Sequence, residues 1–305
     1  MRLLYNGADV TDRVEIRAAQ YIDRAGGLAD RLDLAFNDAE EIAWAHWPIA
    51  FDDTVAIARG ALFTGVMYVD SVRQARGTVE LGAVSVSPEL RSAGFGAWES
   101  IRLHELLRRF ADKYALRLRL IGVPDALYPR IVQRGEPDME WLAFRLSLER
   151  CAAKLTGDAL AAYFEPEAEA REPQIELSLA DCPGYAYRAS QYERCAGVIL
   201  DSGAISYAFR APGVPSGRVI REANIPALSI AEAERYAMGL ARAANKRAEI
   251  LAVPMALRPE LAAGQTVNVA SVSDRLRGVW FIDQVRHDIP GERTTASLRR
   301  PLEGY

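Results

Sequence analysis

In the run Gly278 to Ile289, GVWFIDQVRHDI, apolar and polar residues alternate in the manner of a half-buried strand. Read as an unbroken strand, it places Val279, Phe281, Asp283, Val285, His287 and Ile289 on one side and Asp288 on the other. A second run carries the same pattern. GVMYVDSVRQ, Gly65 to Gln74, matches GVWFIDQVRH at Gly, Val, Asp, Val and Arg, with Tyr for Phe and Val for Ile. Its predicted face is Val66, Tyr68, Asp70 and Val72. Upstream, DTVAIA (Asp53 to Ala58) parallels QTVNVA (Gln265 to Ala270), with Pro48 and Pro259 before them, and downstream Pro88 and Pro301 fall in register. Ordered matches of two strands and their flanks predict one β unit present twice.

Between the copies the period changes. From Pro88 to about Leu120, the residues Trp98, Ile101, Leu106, Leu107, Phe110 and Tyr114 recur near helical spacing, with charged residues between them. This predicts an amphipathic helix after a break at Gly94 and Gly96. A second helix is predicted from Pro137 to Cys151, with an apolar stripe of Met139, Leu142 and Leu146 and a surface pair of Arg145 with Glu149. YFEPEAEAREPQIELSLAD reads as an exposed connection with a solvated acidic centre that leads into a strand. SIAE, Ser229 to Glu232, fits a capping box that opens a helix running to about Lys246.

Composition keeps the picture within ordinary folded proteins. Of 305 residues, 50% are hydrophobic and 26% charged, enough to bury a substantial core and build more than one domain. The net charge of -4, with acids and bases interspersed, gives no electrostatic footprint for a specific nucleic-acid site. No stretch approaches the roughly 18 apolar residues of a membrane span, so no membrane anchor is expected. The opening MRLLYNGADV lacks the apolar core of a secretory signal, which predicts folding in the cytoplasm. Cys151, Cys182 and Cys195 are odd in number and form no C-x-x-C pair, which argues against a disulfide framework or structural zinc.

Candidate chemistry is sparse. His46, His104 and His287 have no H-x-x-x-H spacing, and no nucleophile elbow or phosphate-cradling loop is present. His287 aligns with Gln74, so the position accepts a neutral hydrogen-bonding side chain, and a structural histidine is the favoured reading. Asp70 and Asp283 are equivalent, which suggests a recurring turn, ladder or interface contact. Glu136, Asp138 and Glu140 are conceivable glycosidase acids, but acids at a helix start are explained by the helix dipole. Trp44, Trp47, Trp98, Trp141 and Trp280 would supply stacking surfaces to a carbohydrate-binding protein, whereas tryptophans more often fill cores or interfaces. No catalytic, cofactor-binding or metal-ligating residue is assigned, no cofactor is expected, and the interface residues are left unassigned.

Three stretches resemble the phage late control gene D family of tail baseplate hub proteins. QRGEPDMEWLAFRL, Gln133 to Leu146, is similar to its signature of glutamine, an acidic pair, aromatic-leucine and arginine-leucine. AAGQTVNVASVSDRLRGVWFIDQVRHDI resembles its closing segment, and YNGADVTDRVEIRAAQYIDRAGGLADRLDLAFND its first β domain. Pro137 and Trp141 depart from the usual signature, as does the lack of a glycine after the second helix, near Cys151. The resemblance implies an α+β fold with two related β-barrel-like tube domains, residues 1–90 and 174–305, the second with an inserted helix. Residues 91–173 would form a helical and mixed connection. It also implies a non-enzymatic homotrimer whose six β units form a pseudo-sixfold ring between the hexameric tail tube and the trimeric central spike. Other baseplate proteins would be further partners. The setting would be a contractile phage tail, a tailocin or a type VI-like spike base, assembled in the bacterial host cytoplasm and ending in the baseplate. Peptidoglycan cleavage and carbohydrate binding are the alternatives.

Overall fold

In the computed structural model, which describes residues 1–27, 29–41 and 49–305, the two similar runs fold as the same piece of sheet. The amino-terminal copy comprises β1 (Arg2–Tyr5), β2 (Ala8–Asp9), β3 (Glu15–Arg24), β4 (Arg31–Asp38), β5 (Thr54–Arg59), β6 (Leu62–Phe63), β7 (Met67–Ala75) and β8 (Gly77–Val84). A middle segment follows, with β9 (Ala93–Arg102), α1 (Leu103–Lys113), β10 (Arg117–Ile121), β11 (Leu127–Pro137), α2 (Asp138–Leu148), β12 (Cys151–Thr156), β13 (Ala159–Phe164) and α3 (Glu165–Glu169). The second copy begins with β14 (Ile175–Ser178) and β15 (Ala186–Ala189). An insertion then supplies β16 (Cys195–Asp201), β17 (Ser206–Arg210), β18 (Arg218–Glu222) and α4 (Ile230–Asn245). The copy resumes with β19 (Glu249–Ala256), β20 (Thr266–Ala270), β21 (Gly278–Asp288) and β22 (Arg293–Arg299).

One sheet holds both copies. Within it β3-β4-β8-β7-β5-β1 is matched, strand for strand and in chain order, by β15-β19-β22-β21-β20-β14. The match extends to register. Thr54 faces Tyr68 as Thr266 faces Phe281, and Val55 faces Met67 as Val267 faces Trp280. The amide of Val69 donates to Asp53 O at 2.8 Å, as that of Ile282 does to Gln265 O at 2.8 Å. Asp52 and Gly264 return the bond to Val69 O and Ile282 O, both from left-handed backbone at φ 68° and 93°. The outer strand differs, since β1 pairs antiparallel with β5 whereas β14 pairs parallel with β20.

The expected faces of the two repeat strands are corrected by a bulge. Val69 pairs with Ala83 and Ser71 with Gly82, which leaves Asp70 as the extra residue. Ile282 pairs with Leu298 and Gln284 with Ser297, leaving Asp283 in the same position. One inserted residue reverses the alternation. The inward positions are therefore Met67, Val69 and Val72 in one copy, and Trp280, Ile282, Val285 and His287 in the other. The second hairpin turn is also two residues longer, so Pro301 corresponds in register to Val86 rather than to Pro88.

Each copy has its own core, built around Leu32, Phe36, Ile57 and Leu81 in the first and Leu251, Val253, Trp280 and Leu298 in the second. A third core is shared by the middle segment and the insertion, where Leu106, Phe110, Trp141 and Leu146 meet Val198 and Tyr236. The helix expected after the break at Gly94 and Gly96 starts only at Leu103, because Ala93 to Arg102 pairs as β9 with β11. Ser100 takes a left-handed φ of 50°, and Trp98 and Ile101, three residues apart, both pack toward this core. From Leu103 the helical spacing holds, with Leu106, Leu107 and Phe110 buried.

The second helix ends at Leu148, before Cys151, and the left-handed position usually given to glycine is held by Arg150 at φ 60°. Ser229 caps α4 as expected, accepting from Glu232 N at 3.1 Å. Glu232 reaches back to Leu228 N rather than to the cap's own amide.

Candidate functional site

His287 and Asp283 share a strand but no site. His287 is buried, with Nδ1 3.0 Å from Thr294 Oγ1 and its ring stacked on Tyr21. Burial lowers its pKa, partly opposed by the Leu261 backbone and the charge of Glu260, so the ring serves as a neutral, packed hydrogen-bonding group. Asp283 turns the other way, to Arg299 Nε at 3.2 Å, while Asp288 accepts from Gly291 N at 3.1 Å and closes the turn into β22. Asp70, the counterpart of Asp283, also meets an arginine, Arg91, at 2.6 Å.

The remaining candidates are dispersed. His104 Nε2 lies 2.7 Å from Val123 O, and His46, Trp44, Trp47 and Pro48 fall outside the described residues. Trp98, Phe110 and Trp141 pack ring to ring with centroids 5.2–6.1 Å apart, and Trp280 is wholly buried with Nε1 donating to Leu276 O. Cys151, Cys182 and Cys195 are free thiols; burial pushes that of Cys151 up to about 12. Among the described residues no group of three or more His, Cys, Asp or Glu is placed to hold a metal ion. Among them, too, no helix is long and apolar enough to cross a membrane.

Of the three acids at the start of α2, Glu136 binds the Arg134 amide at 2.6 Å and only Asp138 is buried. Asp138 accepts from Gln133 Nε2 at 2.7 Å, Lys113 Nζ at 2.6 Å and Tyr114 OH at 2.5 Å. Burial alone would raise this carboxyl, but the three donors outweigh it and hold it below its ordinary range. A Cβ on Gly94 would sit 1.8 Å from Asp138 Oδ1, so glycine at that point of β9 is what admits the cluster. The glutamine and one acid of the signature thus tie β9, α1, β11 and α2 together.

The largest polar constructions lie where the copies and the middle segment meet. β21 pairs antiparallel with β3, from Gln284 opposite Arg24 to Asp288 opposite Gln20. Beside this seam, Lys154 of β12 pairs with Asp23 and Asp30 of the first copy, and Asp23 also accepts from Ala263 N of the second at 2.9 Å. A second cluster begins at α3. Glu165 and Glu169, expected in a solvated run, are buried: Glu169 meets Arg242 and, at 2.5 Å, Arg299, while Glu165 meets Arg242 at 3.3 Å and Lys246 at 2.5 Å. With Asp283 on Arg299, three carboxylates balance three cations. Glu165 is held below its ordinary range although burial opposes this, because Lys246, Arg299 and Arg242 surround it.

The expected surface pair of Arg145 with Glu149 is also corrected. Both are buried under α4, and Glu149 pairs with Arg235 at 2.9 Å. Sequence reading missed these clusters, yet a signal exists. Glu165 with Glu169, and Arg242 with Lys246, are each four residues apart, the spacing that aligns like charges on one helix face and calls for an opposite face to meet them.

No family model matches the sequence, and no curated protein matches it. Solved structures do share its fold. A prophage MuSo2 43 kDa tail protein from Shewanella oneidensis aligns over 98% of both chains with a TM-score of 0.79 and 14% identity. A tail protein from Neisseria meningitidis MC58 aligns over 98% of this chain and 95% of its own, with a TM-score of 0.77 and 12% identity. An E. coli component of the type VI secretion system, with structural similarity to the T4 bacteriophage tail proteins gp27 and gp5, covers the whole of this chain and 79% of its own. Its TM-score is 0.63 at 14% identity. The fold, α+β with two related β units, is therefore one that these tail proteins share.

Proposed function

We propose that this chain is the structural hub of a phage or phage-derived contractile tail. Three copies form a ring in which six β units alternate, so that one face meets a sixfold tail tube and the other a threefold central spike. The observation that carries this reading is the matched duplication, in which six strands recur in one order, the inner five with matched register and the same aspartate bulge. A threefold assembly of a twofold-repeated chain presents nearly equivalent surfaces at six positions, which a single unit per chain does not. The shared fold of the Shewanella and Neisseria tail proteins and of the type VI component supports it.

In this reading residues 1–90 and 174–305 are the tube domains, and residues 91–173 are the connection that, with the inserted helix, decorates the ring and touches other baseplate proteins. The buried clusters at Glu169 and Lys154 lock those parts together. Assembly takes place in the host cytoplasm and the final location is the baseplate. Measuring the mass of the purified chain and imaging it with candidate tube and spike proteins tests the reading. A trimer that recruits both supports it, and a stable monomer that recruits neither overturns it.

A further inference from the structure

The joint inside the chain specifies the joint between chains. Strand β21 has two kinds of neighbour on one side: its first half pairs with β20, and beyond the bulge Gln284 to Asp288 pair with β3 of the other copy. In the first copy β5 likewise covers only the start of β7, at Met67 and Tyr68, and beyond the bulge Ser71 to Ala75 have β8 on one side and no strand on the other among the described residues. The counterpart of β3 is β15, which pairs with β19 alone. Both edges left open are thus the quasi-equivalents of the two edges that close the intramolecular seam.

Burial agrees with this. In the formed seam Tyr21, Ile22, Asp23, Val285 and His287 are buried, whereas Ser71, Arg73, Gln74 and Ala75 and, on β15, Ala186, Arg188 and Ala189 are exposed. Unpaired strand amides and carbonyls of this kind are a template for a further strand.

Resting on the trimer reading above, we infer that β7 of one copy pairs antiparallel with β15 of a second copy of this chain, continuing the sheet across the subunit boundary. The register follows from the pairings already present. Tyr21 faces Leu32 and Tyr187 faces Leu251, and Leu32 and Leu251 are equivalent through their partners Ala83 and Leu298. Tyr187 is therefore the counterpart of Tyr21. Since His287 faces Tyr21, Gln74 faces Tyr187 of the neighbouring copy, with Val72 opposite Ala189 and Arg73 opposite Arg188. The two arginines are drawn aside by existing partners, Arg73 by Glu80 at 3.4 Å and Arg188 by the Arg247 carbonyl at 3.4 Å. The seam is shorter and more exposed than its intramolecular model, which lets three finished chains close a ring.

The test is a register-specific crosslink in the full chain. Replacing both exposed arginines, Arg73→Cys with Arg188→Cys, puts two thiols at directly opposed positions, and mild oxidation should yield covalent dimer and trimer that a reductant reverses. The pair Ala75→Cys with Arg188→Cys is displaced by two residues, beyond the reach of a disulfide, and should stay uncrosslinked. Hydrogen exchange on the unmodified protein gives an independent reading: amides of Val72, Gln74, Tyr187 and Ala189 should exchange roughly tenfold or more slowly in the assembled state. A native trimer with no crosslink preference and no protection there overturns this seam while leaving the trimer intact. A protein that is monomeric at every concentration overturns both.

Discussion

The ring of Tyr21 lies nearly parallel to that of His287 across the joint between the two copies, with centroids 6.2 Å apart and planes 12° from each other. Burial lowers the pKa of this histidine, so the ring that meets Tyr21 is neutral. An unfolded histidine takes up its proton near pH 6.5, while the buried ring does so only at lower pH. Stability is therefore fully present above about pH 6.5 and falls as the pH drops toward the folded value. His287→Gln, the residue that the first copy carries at this position, should keep the assembly and flatten this acid limb. Urea unfolding between pH 5 and 7 measures it.

Glu169 holds two buried arginines, so its loss leaves charge without a partner. Glu169→Gln should lower stability by about 3–5 kcal/mol. Asp283 belongs to the same cluster, but its side chain is 51% exposed. Asp283→Asn should cost less than about 1 kcal/mol. Denaturant midpoints of the two variants side by side separate the buried pair from the rim.

Gly239 is the point where α4 crosses the end of α2. A Cβ there would lie 2.4 Å from Leu148 O and 2.5 Å from Ser147 O, backbone atoms that cannot swing aside. Gly239→Ala should destabilise by about 1–3 kcal/mol or more, whereas Gly184→Ala, in open space, should stay within about 0.5 kcal/mol of the parent. Thermal melts decide.

Asp138 is held below the ordinary carboxylate range by Lys113, Tyr114 and Gln133 against the pull of burial. Its contribution is present above the unfolded pKa near 3.9 and is lost as the pH falls through the lower folded value. Asp138→Asn should cost about 1–3 kcal/mol at neutral pH and should remove part of the acid sensitivity below pH 4. Unfolding followed from pH 2.5 to 7 checks both effects.

The duplication was legible because strand partners repeat their residues: Thr54 and Thr266, Val55 and Val267, Asp70 and Asp283 keep the same places in sequence and in space. The bulge was not, since an extra residue in one strand leaves no mark on its own side chain and shows only against the partner strand. Trp98 and Ile101 imitated a helix because a left-handed Ser100 puts residues three apart on one side of a strand. Glu165 and Glu169 read as solvated because the cations that neutralise them, Arg242, Lys246 and Arg299, arrive from the inserted helix and the last strand. The structural reading of His287 came from its alignment with Gln74, and the ring lies buried and stacked on Tyr21.

An electron-microscopy reconstruction of the purified protein, computed without imposed symmetry, addresses the purpose of the duplication most directly. The expected map holds three chains whose six β units, marked by Asp70 and Asp283, alternate at about 60° around a common axis. A map in which those aspartates lie at unlike radii, or in which the chain stands alone, would contradict it.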